Sequence, residues 1–176
     1  MAIRASATAF FGLLCFLNAA PPAQAQSCFH ACFSAKKLPS DVTDQTLRET
    51  MQLCYQSCQK AARDDLLSKG FGPLLAKCVP QAVSGAELKK VRSASPSVVA
   101  FANAFTWDVN NVLQDKIIRR VELTTQTMSL TDIVVSSNGY VKPGDTGTFY
   151  IGNVADGYPA VRVTTRIQAI YTCPVH

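Results

Sequence analysis

The apolar residues of this chain change period partway along it. Leu47, Met51, Cys54, Cys58 and Ala61 or Ala62 recur at intervals of three and four, while Arg48, Glu49, Gln52, Gln59, Lys60 and Arg63 fall on other faces. That is one apolar stripe on a helix. Ser40, Asp41 and Thr43 offer N-cap oxygens after Pro39. Gly70 stands where a left-handed residue would end the helix, with Phe71 placed to fold back on Leu66. A shorter helical arm, about 27–37, precedes it. Leu74 to Val79 adds one more turn carrying Cys78. A Ser-, Ala- and Lys-rich junction follows over 84–97, with a short helix at Glu87 to Val91.

From Val98 the period falls to two. Val99, Phe101, Phe105, Trp107 and Val109 alternate with small or polar residues, which predicts one half-buried strand with its aromatic residues in the core. Ile117 to Thr127 is the next strand, with Val121 and Leu123 on one face and Arg120, Glu122 and Thr124 on the other. Leu130 to Ser136 is a third, ended by Asn138-Gly139. Pro143-Gly144-Asp145 forms a turn into Thr146 to Ile151. Asp156-Gly157 and Pro159 mark a break before a last strand from Ala160 to Cys173. Short strands separated by turn signals predict an antiparallel sandwich. The expected fold is α+β: a disulfide-linked antiparallel helical hairpin over 26–83, a linker over 84–97, and a small antiparallel β-sandwich over 98–176.

Two Cys-x-x-x-Cys pairs carry the hairpin. Cys28 and Cys32, like Cys54 and Cys58, sit one helical turn apart on a single face. Arms joined by so short a connection run antiparallel, which pairs Cys32 with Cys54 and Cys28 with Cys58. The crossed pairing needs parallel helices. The short first arm is marginal alone, because isolated helices below ~12–15 residues rarely hold in water, and two cross-links remove that difficulty.

Arg4, the apolar run from Ala9 to Leu17, and Ala23-Gln24-Ala25 read as a secretory leader over 1–25, cleaved after Ala25. Of the seven cysteines, Cys15 leaves with the leader and six remain. Cys78 and Cys173 then pair by elimination and tie the helical part to the last strand. A disulfide framework and a leader both place the protein in the periplasm or outside the cell. The formal charge is +5. In an exported chain its clusters, Lys89, Lys90 and Arg92, then Arg119 and Arg120, read as a solvated face, so nucleic acid is excluded as a partner. Peripheral contact with anionic headgroups or polysaccharide stays open.

The twin motif resembles the Cys-x-x-x-Cys helical hairpins of small mitochondrial intermembrane chaperones and plant hairpin peptides, a likeness that covers 28–58 and implies a fold. The order of features from Val98 to Cys173, with its Pro143-Gly144-Asp145-Thr146-Gly147-Thr148-Phe149 segment, resembles a fibronectin-III-like or immunoglobulin-like domain of bacterial exported proteins. That likeness implies interaction rather than chemistry.

Candidate chemistry is thin. Cys28, His30 and Cys32 form an alternative copper site, since thiolates and imidazole suit a soft metal. Such sites take further ligands downstream, and the mature chain offers only His176, Met51 and Met128. Ser/His/Asp hydrolysis needs a placed imidazole, and His30 and His176 are poorly situated for it. Asp108, Asn110, Asn111 and Asp115 lack the glycine and distal glutamate of a calcium loop. The expectation is therefore an exported, non-enzymatic structural or interaction module without a cofactor or small-molecule ligand. It acts on a protein partner in the cell envelope, as accessory subunit or interaction module. A copper-delivery protein or a secreted inhibitor or effector are the alternatives.

Overall fold

Side-chain caps decide where the helices start. The computed structural model describes residues 27–126, 131–152 and 165–175. Ser27 accepts from the His30 amide ahead of α1 (Cys28–Ala35), and Thr43 accepts from the Thr46 amide ahead of α2 (Asp44–Ser68). α2 ends at Gly70, whose φ of 85° suits glycine. The Gly70 amide donates to the Leu67 carbonyl at 3.0 Å and the Phe71 amide to Leu66 at 3.1 Å, the paired bonds of a Schellman motif. α3 (Gly72–Lys77) follows, with Cys78 at its C-cap. After β1 (Gln81–Ala82), Ser84 and Glu87 close a reciprocal capping box and begin α4 (Gly85–Ala94). The 84–97 stretch, expected as a junction with a short helix at Glu87 to Val91, holds a longer helix whose Val91 is fully buried in the sandwich core.

Six further strands follow: β2 (Val99–Phe101), β3 (Ala104–Asn110), β4 (Lys116–Gln126), β5 (Asp132–Val141), β6 (Thr146–Ile151) and β7 (Thr165–Pro174). They form two sheets, ordered β1-β7-β4-β5 and β2-β3-β6, and every pairing is antiparallel. Trp107, Val109 and Phe149 of the three-stranded sheet meet Ile118, Val121, Val141 and Ile170 of the four-stranded one in a common core. The two sheets are therefore the halves of a sandwich.

Two expectations give way here. The single strand from Val99 to Val109 is a hairpin, because Ala102 (φ 50°) and Asn103 (φ 59°) reverse the chain in a two-residue loop. Phe101 is consequently 53% exposed rather than in the core, whereas Phe105 and Trp107 are buried. Asn138-Gly139 does not end a strand but lies inside β5. On β4 the face opposite Val121 and Leu123 is covered as well at Glu122 and Thr124, 8% and 6% exposed; Glu122 pairs with Arg120 and accepts from the Tyr171 hydroxyl at 3.0 Å. The leader, Met128, the start of the third strand at Leu130, the Asp156–Pro159 break, residues 160–164 of the last strand and His176 lie outside the described residues.

Three disulfides staple the frame. Cys28 bonds Cys58 and Cys32 bonds Cys54, two rungs between α1 and α2 closing separations of 30 and 22 residues. Cys78 bonds Cys173 across 95 residues and ties the end of α3 to β7. Three such bonds are typical of a protein that lives in an oxidising compartment. No helix among the described residues is long and apolar enough to cross a membrane.

Candidate functional site

The molecule's polar chemistry gathers where the α1–α2 hairpin lies on the outer face of the three-stranded sheet. Phe29, Met51, Cys54 and Tyr55 from the helices pack with Ala104 and Tyr150 from β3 and β6, with Cys32 and Phe33 at the border. The cysteine stripe of α2 turns toward α1. Arg48, Tyr55 and Gln59, one position on from Leu47, Cys54 and Cys58, turn to the sheets and the β2–β3 loop, as Met51 does within the cysteine stripe, and Asp65 reaches the turn between β5 and β6.

Two of these residues weld the helix to the sandwich's border. β5 and β6 are edge strands of different sheets, joined by the turn at 142–145. The Gln59 side-chain amide bridges them, its nitrogen donating to the Thr148 carbonyl at 3.3 Å and its oxygen accepting from the Tyr140 amide at 2.6 Å. It thereby serves two backbone groups as a neighbouring strand would. Gly139 makes room for it, because a Cβ there would lie 2.8 Å from both the Gln59 oxygen and the Phe149 ring. Tyr55 donates to the Asn138 carbonyl and lies 2.8 Å from the Ser137 hydroxyl, which itself donates to the Tyr150 carbonyl at 2.9 Å. Burial pushes the Tyr55 phenol up to about 12.

Ion pairs hold the far end of α2. Lys142 reaches Asp65 at 2.5 Å and Asp145 at 3.1 Å, and Lys69 reaches Asp65 at 3.1 Å. Lys142, then Lys69, hold the Asp65 carboxyl below its usual range, and Asp65 raises Lys142 in turn. At the near end Arg48 donates to the Ala102 carbonyl at 3.0 Å and Tyr150 donates to the Arg48 carbonyl at 3.2 Å.

A chain of four polar side chains ties α1 to the sheet. Ser27 and Thr148 hydroxyls lie 2.9 Å apart, Thr148 donates to Asp108 at 2.5 Å, and the other Asp108 oxygen meets His30 Nε2 at 2.8 Å. The set has the residue types of a hydrolase triad but not its wiring. Both hydroxyls hand their protons toward the carboxylate, and neither abuts the imidazole that would have to remove one. Ser27 and Thr148 are also buried, at 8% and 4% exposure.

The sequence-derived candidates take structural positions. Cys28 and Cys32, proposed as copper thiolates in the alternative reading, both have their sulfurs in disulfides, and His30 Nε2 is engaged by Asp108. Among the described residues no three His, Cys, Asp or Glu side chains converge on a metal-sized site. Asn111 is buried and serves the fold, its amide donating to the Lys116 and Val141 carbonyls and accepting from Leu113. Tyr55, Gln59, Ser137 and Thr148 escaped the sequence reading. The signal for the first two was present as the stripe adjacent to Cys54 and Cys58.

Beyond the seam, β2 forms the border of its sheet and exposes Val99 and Phe101, at 57% and 53%, on the same face that seats the hairpin. A groove of about 680 Å³ runs between α2 and the end of β6, lined by Gln45, Arg48, Glu49, Leu53 and Tyr150. Compared with known proteins, the chain matches no family model, no curated protein and no solved structure.

Proposed function

We propose that this chain is an exported, non-enzymatic interaction module, working in the periplasm or outside the cell after loss of its leader. The observation that carries this reading is the β2 border, where two large apolar side chains stand in water beside a strand edge that no described strand pairs. Protein partners commonly add a strand to such an edge and seat alternate side chains beside it. Two features support the reading. The polar side chains along the hairpin seam are spent on holding helices to sheets, and three disulfides suit a frame that must persist outside the cytoplasm. The likeness of the two parts to stapled helical hairpins and to fibronectin-III-like or immunoglobulin-like domains points the same way, toward a structural or accessory role on a partner in the envelope.

Chemical cross-linking in intact cells, followed by purification of the wild-type chain and of a V99K/F101D variant, tests this. The wild type captures a stoichiometric envelope protein, and the variant, which removes both apolar anchors, loses at least about tenfold of that capture. Both positions are exposed, so the variant keeps the wild-type melting temperature. Equal capture by the two proteins rejects β2 as the contact and removes the observation on which the reading rests.

A further inference from the structure

The segment between Asp65 and Glu87 contains no acidic residue; its only charges are Lys69 and Lys77. It is otherwise largely apolar, and α3 at its centre buries none of its side chains despite carrying Leu74 and Leu75. Leu67 is 43% exposed and Val79 73% exposed, the highest value among the exposed large hydrophobics of the described residues. The two ends join into one surface. Leu67 packs against Gly72 at the start of α3, where an added Cβ would lie 3.4 Å from it. Pro73, Leu74, Val79 and Pro174 then line an open trough of about 560 Å³ with Lys77 exposed at its rim. The trough is mostly hydrocarbon, and Lys77 and Gln81 are its polar side chains.

The lobe is also held rigid. Cys78 anchors its root to the fully buried Cys173 on β7. Its own charge is that of Lys77, because Lys69 is paired with Asp65, and the acids at the end of α2 are paired with lysines, Asp64 with Lys60 at 2.6 Å and Asp65 with Lys69 and Lys142; Asp115 lies beyond Pro174, its carbonyl accepting from the Val175 amide at 2.9 Å. A protein interface ordinarily sets directional hydrogen bonds around an apolar centre, and this trough offers the side chains of Lys77 and Gln81 for them. An apolar lobe rimmed by lysine instead matches the layered order of a bilayer surface, hydrocarbon beneath anionic phosphate.

We propose that the α3 lobe docks peripherally on an anionic lipid surface. Leu74 and Val79 enter the boundary between headgroups and acyl chains, and Lys77 extends its ammonium to the phosphates. This contact is separate from the β2 border and on other elements, so either can fail alone.

Co-sedimentation with vesicles tests the proposal, using protein purified after export with its three disulfides intact and its N-terminus read by mass spectrometry. The vesicles are phosphatidylcholine containing about 30% phosphatidylglycerol, an anionic fraction large enough to give a surface potential, and phosphatidylcholine alone. The wild type sediments with the anionic vesicles and far less with the neutral ones. L74D/V79D lowers that binding at least about tenfold, and Lys77→Glu lowers it about threefold to tenfold, in a manner that weakens as salt screens the surface. Val79→Asp alone, at a site too exposed to matter for folding, gives the same direction with an unchanged melting temperature. Binding that is absent, indifferent to these substitutions, or equal on neutral vesicles overturns the proposal. So does a dimer in light scattering that Val79→Asp dissolves, which would assign the lobe to a second copy of the chain.

Discussion

The helical hairpin and the sandwich reach order by different means. The sandwich closes around Trp107, Val109, Ile118, Val121, Val141, Phe149 and Ile170, side chains contributed by both sheets and removed from water. Its stability comes from area withdrawn from solvent and from close packing. α1 has eight residues and buries one large side chain, Phe29. Its order depends on two sulfur rungs, which act chiefly by restricting the unfolded chain, and on polar contacts to a sheet it does not belong to. One half of the molecule is held by what it hides, the other by what it is tied to.

The largest effect expected from that contrast is at Trp107. Trp107→Ala opens a cavity and strands the Pro96 carbonyl that accepts its indole N–H at 3.0 Å, at a cost of about 3–5 kcal/mol. Urea unfolding followed by far-ultraviolet circular dichroism should show strand and helix signals falling together at a lower midpoint. A loss below about 1 kcal/mol would mean that the disulfides, not the core, carry the sandwich.

Removing one rung, as C32A/C54A or C28A/C58A, should cost about 2–4 kcal/mol. Removing both should separate the two halves. Amide exchange in α1 would then approach that of an unfolded segment while β4 and β7 stay protected. Retained protection in α1 would show that Phe29 and the Ser27–His30 polar chain suffice.

The weld between the halves should be weaker than either. Tyr55→Phe removes the hydroxyl from Ser137 and Asn138 and is expected to cost about 1–2 kcal/mol, read from the shift in midpoint. Gly139→Ala forces a methyl against Gln59 and Phe149 and should cost about 1–3 kcal/mol. Part of that cost should return in Q59A/G139A, because one of the two clashing groups is gone. Strict additivity in that double-mutant cycle would refute direct contact.

The smallest effect is the acid dependence of the α4 cap. Lys116, then Ser84, hold the Glu87 carboxyl down at about 2, against its ordinary 4.5. The folded-state value is the lower one, so Glu87 stabilises the fold above its ordinary value, and that contribution disappears as the pH falls through about 2. Glu87→Gln should therefore lower the melting temperature near neutrality by an amount worth under about 1 kcal/mol, since both partners touch solvent. The gap between variant and wild type should shrink toward zero at the acid end. A constant gap would assign the effect to the cap's geometry rather than its charge.

Much of the frame was legible in local chemistry. Cys28, Cys32, Cys54 and Cys58 at helical spacing suffice for the nested rungs, and Gly70 before Phe71 announces the Schellman stop. What escaped depends on partners distant in the chain. Phe101 keeps the odd-numbered rhythm of Phe105 and Trp107, but a two-residue reversal between them puts the same parity on opposite faces of the sheet. Ala102 carries none of the Asn-Gly signal that normally marks such a loop. Asn138-Gly139 carries that signal in full and makes no turn, because its glycine is required by a glutamine 80 positions earlier. The Ser84–Glu87 box was present in the sequence. What could not be read there was that Val91 would point into the sandwich.

The Gln59 bridge has a consequence for how this protein behaves when damaged. A chain that loses its helices, by proteolysis or by reduction in the wrong compartment, would uncover two adjoining strand margins at once, on β5 and on β6. Each is a template onto which another chain can hydrogen-bond. The Gln59 side chain answers one backbone group on each margin, and aggregates seeded from β5 and β6 would be the expected signature of its loss.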